Sequence, residues 1–182
     1  MRVMAIDPSK WSTGIALYDK GVLKTLAIKP SKKLTDAQVL AEIGATVGVM
    51  VKEYDINLAL IEDYAFGVRN SRSITGLGEV QGAIKAALGV YFIPVISVSI
   101  PLWKSRTIGQ IKKADKKAYL DAVEKKYSRR FATTDEADAY MIYEAVKAIV
   151  SDARHLKDSE KKIKEQYRKA HEALQDRGNM LF

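Results

Sequence analysis

The stretch RVMAIDPSKWSTGIALYDKGVLKTLAI, residues 2–28, decides the fold. Residues 2–6 are mostly apolar with little alternation, as in a central strand covered on both faces. Residues 13–18 form a second strand, Asp19, Lys20 and Gly21 a turn, and residues 22–28 a returning third strand. Connections this short predict an antiparallel meander. Asp7 closes the first strand, and Pro8 ends its run of hydrogen-bond donors.

Downstream, Leu40, Ile43, Val47, Val51 and Tyr54 recur at three- and four-residue spacing and predict a helix over 34–54. Residues 58–61 then read as a short buried strand, parallel to the first because a helical crossover precedes it. A loop over 63–75, a helix over 76–88, a strand over 91–98 and helices over 115–127 and 134–150 complete the pattern. The expectation is an α/β, ribonuclease H-like five-stranded mixed sheet, an antiparallel meander plus two parallel strands, flanked by helices. Residues 1–150 would form this domain. Residues 151–182 change composition and read as a charged helical extension. There, Leu156, Ile163, Tyr167 and Leu174 hint at a narrow seam. A solvated tail is the favoured reading, a partner-binding or dimer helix the other.

The 182 residues contain no cysteine, which excludes disulfide frameworks, thiolate metal sites and cysteine nucleophiles. No apolar run is long enough to span a bilayer, and residues 1–10 lack a secretory pattern, so a cytoplasmic protein without membrane contact is expected. Formal net charge is +8, and between Lys104 and Arg130 ten basic residues face three acidic ones. Such a patch suits a polyanion such as nucleic acid, although a solvated helix face accounts for a charge run equally well.

Four carboxylates stand out. Asp7 and Glu62 each follow an apolar run, and adjacent parallel strands would bring both out at one level. Asp135 and Asp138, three residues apart, share a helix face. A capping box between Thr133 and Glu136 explains the acids of the first turn, but not Asp138, which continues onto the buried stripe through Met141, Ile142, Ala145 and Ile149. Nothing basic adjoins the four in sequence. Buried acids without a counter-charge cost several kcal/mol, roughly, so a divalent cation is the economical partner. Oxygen-only ligands suit two Mg²⁺ ions, with Mn²⁺ a substitute, and metal-assisted phosphodiester hydrolysis. His155 and His171 lie in the charged tail and are expected to be exposed.

The pieces AIDPSKWSTGIAL, ALIEDYAF with GEVQGAIKAAL, KADKKAYLDAV and TDEADAYMIYEA stand in one order over residues 1–150. Together they resemble the RuvC family of Holliday-junction resolvases, within the ribonuclease H-like superfamily. The resemblance implies a crossover junction endodeoxyribonuclease with metal acids at Asp7, Glu62, Asp135 and Asp138, and with Lys104 and Lys116 near the scissile phosphate. It also implies a homodimer that cuts four-way junctions by paired symmetric nicks. Ser9 stands where the family usually has glycine, and the tail has no counterpart in it.

Tyr64, Phe66, Arg69, Asn70 and Arg72 follow Glu62, a mixture suited to unstacked bases and phosphates; an ordinary loop aromatic folded onto the core is the plainer reading of Phe66. Lys112, Lys113, Lys116 and Lys117 would meet the phosphate backbone, while Tyr119, Val123 and Tyr127 on the other face dock the helix. Competing readings are a broader branched-DNA nuclease, an actin-like nucleotide-binding protein, for which the chain is short, and a binding module of this fold that has lost catalysis.

Overall fold

The computed structural model describes residues 1–63, 71–109, 115–153 and 156–179, the backbone alone at 71–74 and 176–179. The elements are β1 (Val3–Asp7), β2 (Thr13–Asp19), β3 (Val22–Ile28), α1 (Asp36–Glu53), β4 (Leu58–Glu62), α2 (Ser71–Val90), β5 (Val95–Val98), α3 (Ile100–Thr107), α4 (Lys116–Tyr127), α5 (Thr134–Ser151) and α6 (Asp158–Asn179). The sheet runs β3-β2-β1-β4-β5. Its β1–β2 and β2–β3 pairs are antiparallel and its β1–β4 and β4–β5 pairs parallel, as the short turns and helical crossovers require.

Two apolar layers explain why the central strands lack alternation. Met4, Ile6, Ala59 and Ile61 pack toward α1 and α2, with Val39, Ile43, Val47, Ile84 and Leu88. Val3, Ala5, Leu58, Leu60, Ile96 and Val98 pack on the other face, toward α3 and α5. Strand side chains alternate between faces, so both parities must be apolar when both faces are covered.

Three stretches differ from the sequence reading. Helix α2 starts at Ser71, inside the expected loop, and β5 is only four residues long. Phe92, exposed and in the left-handed region at φ 54°, turns the chain before Pro94 and shortens that strand. Helix α3 was not anticipated. It spans eight residues, and its buried Leu102 and Trp103 are adjacent rather than helically spaced, so periodicity does not reveal it.

The C-terminal segment is not a solvated tail. Helix α6 packs on α5 and β5, burying Ile163 and Ala170, with Tyr167 and Leu156 against the same core. The seam seen in the sequence is therefore used within the chain. Among the described residues, no helix is long and apolar enough to cross a membrane.

Candidate active site

In the parallel pair β1–β4, Ile6 lies opposite Ile61, which sets Asp7 and Glu62 level on neighbouring strands. Both continue the parity of Val3, Ala5, Leu58 and Leu60, so both side chains face α5. Adjacent strands lie about 4.8 Å apart, so the two acids share one short stretch of sheet edge.

Helix α5 supplies the other pair. The Thr133 hydroxyl accepts from the Glu136 amide at 3.2 Å, half of the expected capping box. Across β1–β2, Asp7 pairs with Gly14, and Gly14 lies directly against the Asp135 peptide with no room for a Cβ. A bare backbone on β2 thus lets the start of α5 settle onto the sheet beside Asp7. The intervening loop is fastened by Thr13, whose hydroxyl accepts from the Ser9 amide and donates to the Ser9 carbonyl at 2.6 Å. Ser9 has no left-handed φ, so the turn after Asp7 has no need of a glycine at that position.

The four acids share one field. Burial pushes Asp7 well above the usual carboxylate range, with Glu62, Asp138 and Asp135 adding repulsion and Lys104 offsetting part of it. Burial raises Glu62 to about 7; Asp138 adds to this, while the Trp103 hydrogen bond and Lys104 oppose it. Asp138 rises to about 6, again chiefly by burial, against a hydrogen bond from Tyr119 and the charge of Lys104. A basic group does therefore stand beside the acids in space, though none does in sequence. Among the described residues, that one ammonium does not balance four carboxylates.

Three residues to which sequence reasoning gave no role at the acids hold three of the four. The Trp103 indole, 1% exposed, donates to Glu62 Oε2 at 2.9 Å. The Tyr119 hydroxyl donates to Asp138 Oδ1, and the Ser12 hydroxyl to Asp135 Oδ2 at 2.5 Å. Gln81 fixes the Glu62 main chain by donating to its carbonyl at 2.7 Å. Only the tyrosine left a trace in the sequence, as the apolar face of α4. Among the described residues, no three Asp, Glu or His side chains already stand as a ligand cage. Glu62, Asp135 and Asp138 instead each lean on their own donor, as repelling carboxylates do. The donor chemistry still fits a hard divalent cation: it is all oxygen, buried, and electrostatically under-compensated.

Lys104 flanks the cluster and lies over the Trp103 ring, 5.1 Å from its centroid. Lys116 and Lys117 are exposed at the start of α4, outside the charges that perturb the acids, while Val123 on the opposite face is buried. Tyr64, Phe66, Arg69, Asn70, Lys112 and Lys113, and the side chain of Arg72, lie outside the described residues, as does His155; His171 is exposed. The basic run is partly structural. Arg106 pairs with Asp152 and Glu160, Lys126 donates to the Thr107 carbonyl, and Arg129 donates to the Leu23 carbonyl at 2.8 Å. Trp11, 43% exposed, sits in the Thr13-fastened loop between Asp7 and Ser12, a feature the sequence reading passed over.

The strand order, the two helical layers and acids at the ends of the central parallel strands define the ribonuclease H-like fold class. No family model matches the chain. It is 28% identical over 113 residues to crossover junction endodeoxyribonuclease RuvC of Hydrogenovibrio crunogenus, across 60% of this chain. The match spans 65% of that relative's length, just under two thirds. Among solved structures, Thermus thermophilus RuvC in complex with Holliday junction substrate superposes with a TM-score of 0.65 at 18% identity, covering 81% of this chain and 92% of that one. A second structure of Thermus thermophilus RuvC gives 0.62 at 21% identity, covering 81% and 93%. The resemblance read from the motifs is borne out in sequence similarity and in fold.

Proposed function

We propose that this chain is a divalent-metal-dependent endonuclease that resolves four-way DNA junctions, working as a homodimer that makes paired symmetric nicks. The observation that carries the reading is the shared field of Asp7, Glu62, Asp135 and Asp138, brought together from two adjacent strands and one helix. Similarity to RuvC, and a RuvC structure in complex with Holliday junction substrate, support the choice of branched DNA.

When bound, one or two Mg²⁺ ions, or Mn²⁺ in their place, would activate water and stabilise the leaving 3′ oxygen. Asp7 and Glu62 would hold them from the sheet, Asp135 and Asp138 from α5. Trp103, Tyr119 and Ser12 each fix one oxygen of an acid, which orients the other toward a ligand. Lys104 offsets acid charge and is available to the scissile phosphate. Lys116 and Lys117, with Lys112 and Lys113, would meet neighbouring phosphates without reading sequence. Tyr64, Phe66, Arg69 and Arg72 would serve the unstacked bases of the branch point. Trp11, exposed in the loop that follows Asp7, offers a further π face. Such work on DNA suits a cytoplasmic protein.

The test is a cleavage panel of labelled four-way junction, Y-fork, flap and linear duplex with Mg²⁺ or Mn²⁺. Paired nicks at symmetric positions in the junction, well above cutting of the duplex, are expected. Equal cutting of forks and flaps would make the protein a broader branched-DNA nuclease. No cutting of any DNA with either metal would overturn the assignment.

A further inference from the structure

Helix α3 carries both Trp103 and Lys104 yet has little to hold it by itself. It is eight residues long, and its N-cap Ser99 makes no side-chain capping bond. A helix this short depends on tertiary contacts for its orientation. Leu102 and Trp103 bury its middle, and the Thr107 carbonyl at its end accepts from Lys126.

Besides its packing on α5, α3 has a polar contact with the C-terminal segment. Arg106 Nε donates to Glu160 Oε1 at 2.5 Å, and Nη1 to Asp152 Oδ2 at 3.1 Å. Glu160 is 5% exposed, and its second oxygen accepts from the Lys157 amide at 2.8 Å, at the start of α6. One carboxylate therefore caps α6 and grips α3 together. The guanidinium fork makes that grip directional, because its donors are planar and rigid. Arg106 lies two residues beyond Lys104 and three beyond Trp103, so rotation of α3 at Arg106 moves both.

We propose that Glu160 is a positioning residue for the acid cluster: through Arg106, the C-terminal helix sets α3 and so seats the Trp103 indole on Glu62 and the Lys104 ammonium beside the acids. The kinetic consequences rest on the nuclease reading above; the positioning itself does not.

The experiment pairs kinetics with spectroscopy. In a Trp11→Phe background Trp103 is the sole tryptophan, so its emission and near-ultraviolet dichroism report its seat without DNA or metal. Below the melting transition, Glu160→Gln is expected to shift Trp103 emission to the red and weaken its dichroism. With Trp11 intact, it should lower kcat on saturating junction about tenfold while KM changes less than about twofold. Glu160→Asp should restore most of both signals. Arg106→Lys, which keeps the charge and loses the fork, should reproduce the loss, and it serves if Glu160→Gln does not fold. Glu165→Gln, which alters only the exposed ion pairs of α6, should change neither. A lower melting temperature with unchanged Trp103 signals and unchanged kcat would overturn the proposal and leave the anchor a stabilising contact. If the unsubstituted protein cleaves no junction, the nuclease reading fails, and the spectroscopic arm alone decides the positioning.

Discussion

Gly14 and Asp135 meet without space for a methyl group: a Cβ on Gly14 would lie 1.9 Å from the Asp135 carbonyl oxygen. The obstacle is backbone, at the first turn of α5, so it cannot rotate away. Gly14→Ala should force α5 off the sheet and cost about 1–3 kcal/mol, as overpacking in a dense interior does. Urea denaturation checks the stability, and cleavage of a four-way junction should fall more than global unfolding explains. Wild-type stability in this variant would refute the close approach.

Asp138→Asn is expected to abolish Mg²⁺-dependent cleavage while junction affinity stays intact or tightens, measured by gel shift in Ca²⁺. In EDTA at pH 8 the same variant should melt at a higher temperature than the parent, because a repelling buried charge is gone. Nicking at the parent rate would show that Asp138 is not a metal ligand.

Stability without metal should fall as pH rises. Glu62 and Asp138 titrate near 7 and 6 in the folded chain, above their ordinary 4.5 and 3.8. Across that interval the unfolded chain has released protons that the folded chain retains, so each group removes roughly 1.4 kcal/mol per pH unit between its two values. Below about pH 4 the effect of these two groups vanishes, and above about pH 7 their contribution levels off, while Asp7, also raised by burial, acts in the same direction. Denaturant melts in EDTA from pH 4 to 8 test this, and added Mg²⁺ should recover stability mainly at the alkaline end. A flat profile would contradict the repulsion.

Trp103→Phe removes the donor that lowers Glu62, so the Glu62 carboxyl should titrate further above 7. The acidic limb of the pH–rate profile for cleavage should move upward, with kcat reduced most at neutral pH and partly recovered at pH 9. Loss of the hydrogen bond should also cost about 1–3 kcal/mol, since a buried acceptor is left unpaired. An unmoved acidic limb would mean that this contact does not tune the site.

Sedimentation equilibrium at micromolar concentration should give a dimer, alone or on a four-way junction. A monomer under both conditions would count against paired incision.

The layout of β1 to β3 was legible because a tight turn at Asp19–Gly21 leaves the chain one short way back. The parallel pairing of β1 with β4 followed from the intervening helix, and with it the level placement of Asp7 and Glu62. Asp138 was legible as an acid on an apolar stripe. What stayed hidden was whatever depends on contact between distant segments. Trp103 and Glu62 are 41 residues apart, and nothing local marks the indole as a donor. Lys104 reads as one charge in a basic run, although among the described residues it is the cation that offsets the acids, whereas Arg106, Lys126 and Arg129 of the same run are occupied by structural partners. The seam of α6 was visible, but a periodic stripe does not say whether its partner is another molecule or the same chain.

Lys116 and Tyr119 lie one turn apart on α4, the first open to solvent and the second bonded to Asp138. On the proposed reading, a phosphate held by that exposed ammonium would sit less than one full helical repeat from a phenol gripping the acid. Grip on the strand and aim of the carboxylate would then be linked by a single hydrogen bond.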